Sequence, residues 1–159
     1  MLGVKVQRCA EDGCSNDAAY ATRTRPAWCD AHITAILREG GLEPLEPFQG
    51  PKHHRLTRCL ACGCEAHYRF EYTLEKNPLA EKTCRACYWR AWASSLGPWV
   101  DRSITDPEDV RAQAEANGYE YIRPLTTPSL GEDPHLLRCK CCHRLAPKRP
   151  VDIEWGCSC

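Results

Sequence analysis

The residues best suited to carry chemistry are the 13 cysteines of this 159-residue chain, most of which fall into three groups. In each group two ligand residues lie close together and two more follow after a longer spacer. Zinc prefers four tetrahedral Cys or His ligands, and a closely spaced pair can reach one ion from a single turn. The sequence therefore predicts three structural zinc ions. The expected ligand sets are Cys9, Cys14, Cys29 and His32; Cys59, Cys62, Cys84 and Cys87; and Cys139, Cys142, Cys157 and Cys159.

The three groups differ in regularity. The central one has two Cys-x-x-Cys pairs, the second of which lies where a helix is expected to begin, as in a treble clef; redox-active or unrelated thiols are the alternative. The first group needs His32 as its fourth ligand. The third ends in Cys157-Ser-Cys159 at the last residue of the chain, which fits a truncated treble clef or a zinc ribbon. Cys64 and Cys141 adjoin the first pairs of two groups and are interpreted as small buried residues or alternative ligands.

Composition favours metal-dependent folding. The chain has only 2 Phe and 1 Met, too few large apolar side chains for one ordinary core, and small domains of this kind rely on disulfides or metals. The N-terminus lacks the pattern of a secretory signal, and no apolar stretch is long enough to span a bilayer. An odd cysteine count also argues against complete disulfide pairing. We therefore expect a cytoplasmic protein with no membrane association.

Periodicity predicts an α+β protein of small zinc-stabilised modules, with short β-hairpins and connecting helices. Three domains are expected, at 1–40, 41–100 and 101–159, with a joint near 97–105. The expected helices are Asp30 to Glu39, Thr83 to Leu96 and Asp106 to Asn117. The expected strands are Leu42 to Leu45, Arg55 to Arg58, Ala66 to Tyr72, Tyr119 to Ile122 and Leu136 to Arg138.

One unit of the chain is repeated. A glycine, a short apolar strand, a proline-rich loop and an Arg-Cys dipeptide occur once from Gly41 to Cys62 and again from Gly118 to Cys142. With these motifs the chain resembles bacterial treble-clef and zinc-ribbon repeat proteins, whose units read Gly-Leu-Glu-Pro-Leu-Glu-Pro followed by Arg-Cys-x-x-Cys-Gly. The second copy departs from this pattern because His143 replaces the last glycine. The resemblance implies nucleic-acid association, in some members as the targeting part beside a nuclease.

Charge directs the functional hypothesis to the central module. Eleven thiolates and three divalent cations would take the formal net charge from 0 to −5, but residues 50–100 hold eight Lys or Arg against four Asp or Glu. Basic side chains bind phosphates and base edges, and exposed aromatic rings stack on unpaired bases. The leading hypothesis is nucleic-acid binding, to DNA more than to RNA. The candidate contact residues are Lys52, His53, His54, Arg55, Arg58, Arg85, Tyr88, Trp89, Arg90 and Trp92. Trp89 and Trp92 lie three residues apart, so the alternative for both is that they pack in the core instead of contacting nucleic acid.

Two other functions remain open. A protein-interaction module, acting as an adaptor or inhibitor, fits the near-neutral charge and the tryptophans at 28, 99 and 155, since interface hot spots are rich in Trp, Tyr and Arg. A zinc-stapled nuclease would use His53, His54 or His67 as its base. All three metal sites have four protein ligands and no open position, so the expectation is a protein without catalytic residues.

Overall fold

A computed structural model describes residues 6–97 and 103–159. In chain order it contains helix α1 (Asp30–Glu39), strands β1 (Leu42–Pro44), β2 (His54–Cys59) and β3 (Glu65–Arg69), helix α2 (Phe70–Lys76), a 3-10 turn (Asn77–Leu79), helices α3 (Arg85–Ser95) and α4 (Pro107–Ala116), strands β4 (Tyr119–Pro124), β5 (His135–Cys139) and β6 (Leu145–Lys148), and helix α5 (Pro150–Ile153). The strands form two antiparallel sheets, β1-β2-β3 and β4-β5-β6. The predicted α+β class is confirmed.

The three expected helices are present, and their ends have local causes. Helix α1 ends at Gly40, whose N–H bonds the Ile36 carbonyl at 3.1 Å. Helix α4 starts because the Asp106 side chain accepts the backbone N–H of Glu108 at 3.0 Å, with Pro107 at its first position. The expected joint at 97–105 falls partly outside the described residues, and Trp99 lies outside them. Within the described part of the chain, no helix has the length and apolar character needed to cross a bilayer.

The strand expected from Ala66 to Tyr72 is wrong in its second half, because helix α2 begins at Phe70. Phe70 and Thr73 are 3% and 0% exposed, and their spacing of three puts both on one helical face. The turn that holds the first two ligand cysteines of each copy, Cys59 to Cys62 and Cys139 to Cys142, is called a knuckle below. Strand β6 and helix α5 follow the second knuckle and were not predicted. Pro147 interrupts the strand pattern there, and α5 is a single turn.

The predicted repeat is reproduced at the level of hydrogen bonds. Leu42 pairs with Cys59 in the first copy, and Tyr119 pairs with Cys139 in the second. The Gly41 carbonyl accepts the N–H of Leu60 at 2.9 Å, and the Gly118 carbonyl accepts the N–H of Lys140 at 3.0 Å. Both glycines have positive φ, at 87° and 82°, which favours glycine over any other residue at that point.

The chain divides into two compact units. Unit 1 runs up to Leu60 and includes Tyr68–Thr83, whereas unit 2 comprises Ala61–His67 and Cys84–Cys159. The core of unit 2 contains Val110, Tyr119, Leu137 and Ile153. In unit 1 the ring of Phe70 is central, with Phe48 5.9 Å away between centroids. The division into three domains at 1–40, 41–100 and 101–159 stays a prediction.

Helix α1 packs closely against α2 at Gly40. A β-carbon at Gly40 would lie 2.7 Å from Cγ2 of Thr73 and 2.9 Å from Oδ1 of Asn77. Asn77 also donates to the Ile36 carbonyl at 3.1 Å, and the hydroxyls of Thr73 and Thr83 are 3.0 Å apart. Since the φ of Gly40 is −73°, space rather than backbone conformation requires glycine here.

We expect Gly40→Ala to lower the free energy of unfolding by about 1–3 kcal/mol, because the added methyl overlaps the Thr73 side chain. Urea denaturation followed by circular dichroism would measure the loss. Thr73→Ser removes the overlapped methyl and keeps the hydroxyl, so the double variant should recover part of the stability lost in Gly40→Ala. Equal stability of wild type and Gly40→Ala would contradict the close packing.

Candidate metal centres

Three groups of ligand atoms converge in the structure, and they are the three predicted sets. Within each group all four Sγ or ring nitrogen atoms lie within 4.8 Å of one another. Tetrahedral zinc with Zn–S bonds near 2.3 Å places its sulfurs about 3.8 Å apart, which is far longer than a disulfide bond. All 13 cysteines are free thiols. Each of the three groups could therefore hold one metal ion.

The first centre joins a loop to the start of α1. Cys29 is the residue before the helix and His32 lies in its first turn, so both side chains point back toward the loop. Nδ1 of His32 is 3.4 Å from Sγ of Cys9 and 3.1 Å from Sγ of Cys29, and the sulfurs of Cys14 and Cys29 are 4.0 Å apart. His32 is thus the fourth member of the group through Nδ1.

The second centre contains the end of β2 and the start of α3. Cys59 is the last residue of β2, Cys84 directly precedes α3 and Cys87 lies in its first turn. The sulfurs of Cys62 and Cys84 are 3.7 Å apart. Cys59 and Cys84 are 4% and 2% exposed, so water has little access to their sulfurs.

The third centre contains the knuckle after β5 and the last residues of the chain. Sγ–Sγ distances are 3.6 Å between Cys142 and Cys157 and 3.9 Å between Cys139 and Cys159. His143, which stands where the first copy has Gly63, has a φ of 62°. The left-handed conformation needed after the knuckle is therefore kept without glycine.

Arg144 supports the third centre and was not identified from the sequence. Its Nε donates to Sγ of Cys142 at 2.9 Å, and its Nη2 donates to Sγ of Cys157 at 3.5 Å. An arginine two residues after a ligand cysteine was the available signal. Hydrogen bonds of this kind orient ligands and stabilise their charged form.

Two ligand thiols have low pKa values. The backbone N–H of His32 is the main cause that lowers the pKa of Cys29 to about 6. Burial raises the pKa of Cys142, but hydrogen bonds led by Arg144 outweigh it and bring the value to about 6. In both cases the surrounding hydrogen bonds favour the thiolate, which is the form that metal ligation requires.

The two additional cysteines differ from each other. Cys64 is 4% exposed, and its Sγ donates to the Glu65 carbonyl at 3.9 Å, as expected of a small buried residue. Cys141 is exposed, and its thiol is the main cause that raises the pKa of Cys159 to about 12. Cys141 is thus near the third centre without being one of its four converging ligands.

The predicted nucleic-acid contacts of unit 1 have varied surroundings. Lys52, His53 and Arg58 are exposed, whereas His54 is half-buried. Nε of Arg55 donates to the Glu46 carbonyl at 2.7 Å, and its Nη1 is buried without a hydrogen-bond partner. Burial lowers the pKa of Arg55, so this guanidinium serves the fold more than the surface.

The predicted contacts of unit 2 lie on α3. The Arg85 guanidinium lies 4.3 Å from the centroid of the Tyr88 ring, and Arg90 is exposed. Trp89 and Trp92 are half-buried and contact each other edge to face at 5.7 Å. Arg149, which the sequence did not single out, covers both rings at 3.8 and 4.7 Å and is held by Asp152 at 2.7 Å.

His67, considered above as a catalytic base, has a structural contact in unit 2. Its Nδ1 accepts the backbone N–H of Leu145 at 3.0 Å. This bond joins the residue to the first position of β6. The ring nitrogen that accepts this N–H is occupied by a backbone group and is not available as a base.

We expect Cys159→Ser to reduce the bound metal from three ions to two, and Cys141→Ser to leave three, because only Cys159 belongs to the converging group. Native mass spectrometry of each variant would count the ions and identify the metal by mass. Cys64→Ser is a control for loss of a thiol outside the ligand groups. Three ions in Cys159→Ser and two in Cys141→Ser would mean that Cys141 is the ligand.

Arg144→Gln should weaken metal binding at the third centre by about tenfold to a hundredfold, the usual effect of removing a hydrogen bond to a ligand. Competition with a chromophoric chelator would measure the change. Arg123→Gln, which alters an exposed arginine of the same unit, is the matched control. Identical chelator curves for the two variants would exclude a role for Arg144 in metal affinity.

Comparison with known proteins gives no family for the chain. No protein-family model matches it, and neither a curated protein nor a solved structure matches it at a significant level. The treble-clef and zinc-ribbon resemblance accordingly rests on its motifs alone. Independently of any relative, the chain is a small α+β protein with three Cys-rich groups that could each hold a metal ion.

Proposed function

We propose that the protein binds nucleic acid through the exposed side of α3 and that its three centres hold structural zinc. Zinc is the metal that suits four tetrahedral thiolate or imidazole ligands, and each set is complete without a position for substrate. In this proposal the ions hold the fold and take no part in chemistry. DNA is the expected target, and RNA is the competing outcome.

The observation that carries the proposal is the stacked Arg85–Tyr88 pair beside the exposed Arg90. Tyr88 is 40% exposed, and the guanidinium 4.3 Å from its ring centroid holds the aromatic surface in place. Helix α3 contains no acidic residue, and Arg90 on it is exposed. Arginines that flank an exposed ring can bind phosphates while the ring stacks on an unpaired base.

The surroundings of Trp89 and Trp92 remove both residues from the proposed nucleic-acid ligands. Because Arg149 covers both rings and is itself paired with Asp152, these tryptophans support α3 rather than bind a base. Arg55 is likewise used within the fold, because its Nε donates to the Glu46 carbonyl. Of the predicted contacts on α3, the proposal therefore keeps Arg85, Tyr88 and Arg90 as direct ligands of nucleic acid.

A second candidate, a protein-interaction module, is favoured by one observation. Trp155 and Val151, four residues apart near the end of unit 2, are 79% and 47% exposed. Large exposed apolar side chains of this kind are typical of protein interfaces.

We expect zinc-loaded protein to bind labelled single-stranded DNA more tightly than duplex DNA or structured RNA, because an unpaired base can reach Tyr88. Fluorescence anisotropy at about 50 mM and about 200 mM salt would measure affinity and its salt dependence. Arg90→Gln should weaken binding and reduce the salt slope by about one, and Tyr88→Ala should cost about 1–3 kcal/mol.

Arg123→Gln is the matched control, since Arg123 is also an exposed arginine of unit 2 but lies on β4. Its affinity should equal that of the wild type. Equal losses in Arg90→Gln and Arg123→Gln would point to nonspecific charge attraction, and absence of binding to all three ligands at low salt would refute the proposal.

A further inference from the structure

Unit 1 contains a groove that no metal centre and no predicted contact explains. It encloses about 560 Å³, within the size range of ligand pockets in proteins. Apolar side chains line much of it, among them Trp28, Ile36, Leu74 and Pro51. We refer to it as the acidic groove, because Glu11, Glu39, Glu71 and Glu75 also line it.

The walls of the acidic groove are held by buried contacts. The Phe70 ring, 3% exposed, meets the rings of Tyr20 and Trp28 edge to face, with centroids 6.2 Å away in both cases. The close approach of α1 and α2 at Gly40 fixes the two helices that carry Ile36 and Leu74. A ligand would therefore meet a preformed surface and pay little ordering entropy.

The charge of the acidic groove is unbalanced. Its four carboxylates face one lining cation, Arg25, and none of the four has an ion-pair partner within 4.0 Å among residues 6–97 and 103–159. Glu71 and Glu75 lie one turn apart on α2, with their β-carbons about 6 Å apart. Burial and the charge of Glu71 raise the pKa of Tyr20 to about 12, so its hydroxyl remains a hydrogen-bond donor.

We propose that the acidic groove binds a short basic peptide segment of a partner protein. An apolar side chain of the segment would cover Trp28 and Leu74, while its Lys or Arg side chains would reach the carboxylates. The carboxylates come from the first loop, the end of α1 and α2, so several cations in a row match them better than one small cation does. The indole of Trp28 also offers a cation–π surface. This inference does not depend on the nucleic-acid proposal.

The test uses three fluorescein-labelled hexapeptides and the full metal-loaded chain: RLRFKR, the apolar-depleted RSRSKR and the charge-reversed ELEFEE. Anisotropy should detect binding of RLRFKR alone, and raising the salt should weaken it. The double variant Glu71→Gln/Glu75→Gln should bind about tenfold more weakly, since it loses two ion pairs at the rim. Leu74→Ala should bind about fivefold more weakly because it removes apolar contact area.

Asp17→Asn/Glu154→Gln is the control, because it removes the same charge from exposed positions outside the acidic groove. It should bind RLRFKR as the wild type does. Equal affinities of RLRFKR and RSRSKR, equal losses in both double variants, or no binding at about 1 mM peptide would overturn the proposal. So would sedimentation that shows wild-type dimers and Glu71→Gln/Glu75→Gln monomers, since the occupant would then be a second copy of this chain.

Discussion

The convergence of four ligand atoms at each cysteine-rich group is the constraint on which the rest of the structure depends. Thiolates at 3.6–4.0 Å repel one another unless a cation lies between them or protons neutralise them. A chain with 2 Phe and 1 Met has little apolar surface with which to oppose that repulsion. A structural zinc ion contributes an apparent binding free energy of about 10–16 kcal/mol in small zinc-finger peptides. Metal bound at these groups would thus dominate the stability of the fold.

The elements that carry the ligands have a common construction. Each knuckle follows a strand or an ordered loop, and two centres take their second pair from the start of a helix, Cys29 with His32 and Cys84 with Cys87. A helix start brings two side chains to one side within a single turn. The third centre lacks that helix, and there the side chain of Arg144 bonds two of the sulfurs directly.

The ligand sets, α1, α4 and the repeated strand–knuckle unit were predictable, because each depends on spacing within a short segment or on a cap residue such as Asp106. The second half of the strand expected at Ala66 to Tyr72 was not, since Phe70 and Tyr72 alternate as in a strand while the burial of Phe70 with Thr73 selects a helix. The acidic groove depends on this helix and was therefore missed. Arg149 was missed because its contact with Trp89 joins residues sixty positions apart. Such long-range contacts leave no local pattern.

The two knuckles share a register as well as a motif, since Gly41 and Gly118 bond the residue after the first ligand cysteine in the same way. Independent origins would have to reach the same pairing, the same left-handed glycine and the same Arg-Cys dipeptide twice. Duplication of one ancestral segment yields all three at once. The two copies share the glycine, the strand pairing and the first two ligand positions, while most other side chains differ. The second ligand pair differs between the copies, because Cys84 and Cys87 lie at the start of helix α3 whereas Cys157 and Cys159 follow helix α5. One strand and knuckle can thus be completed by two different partners.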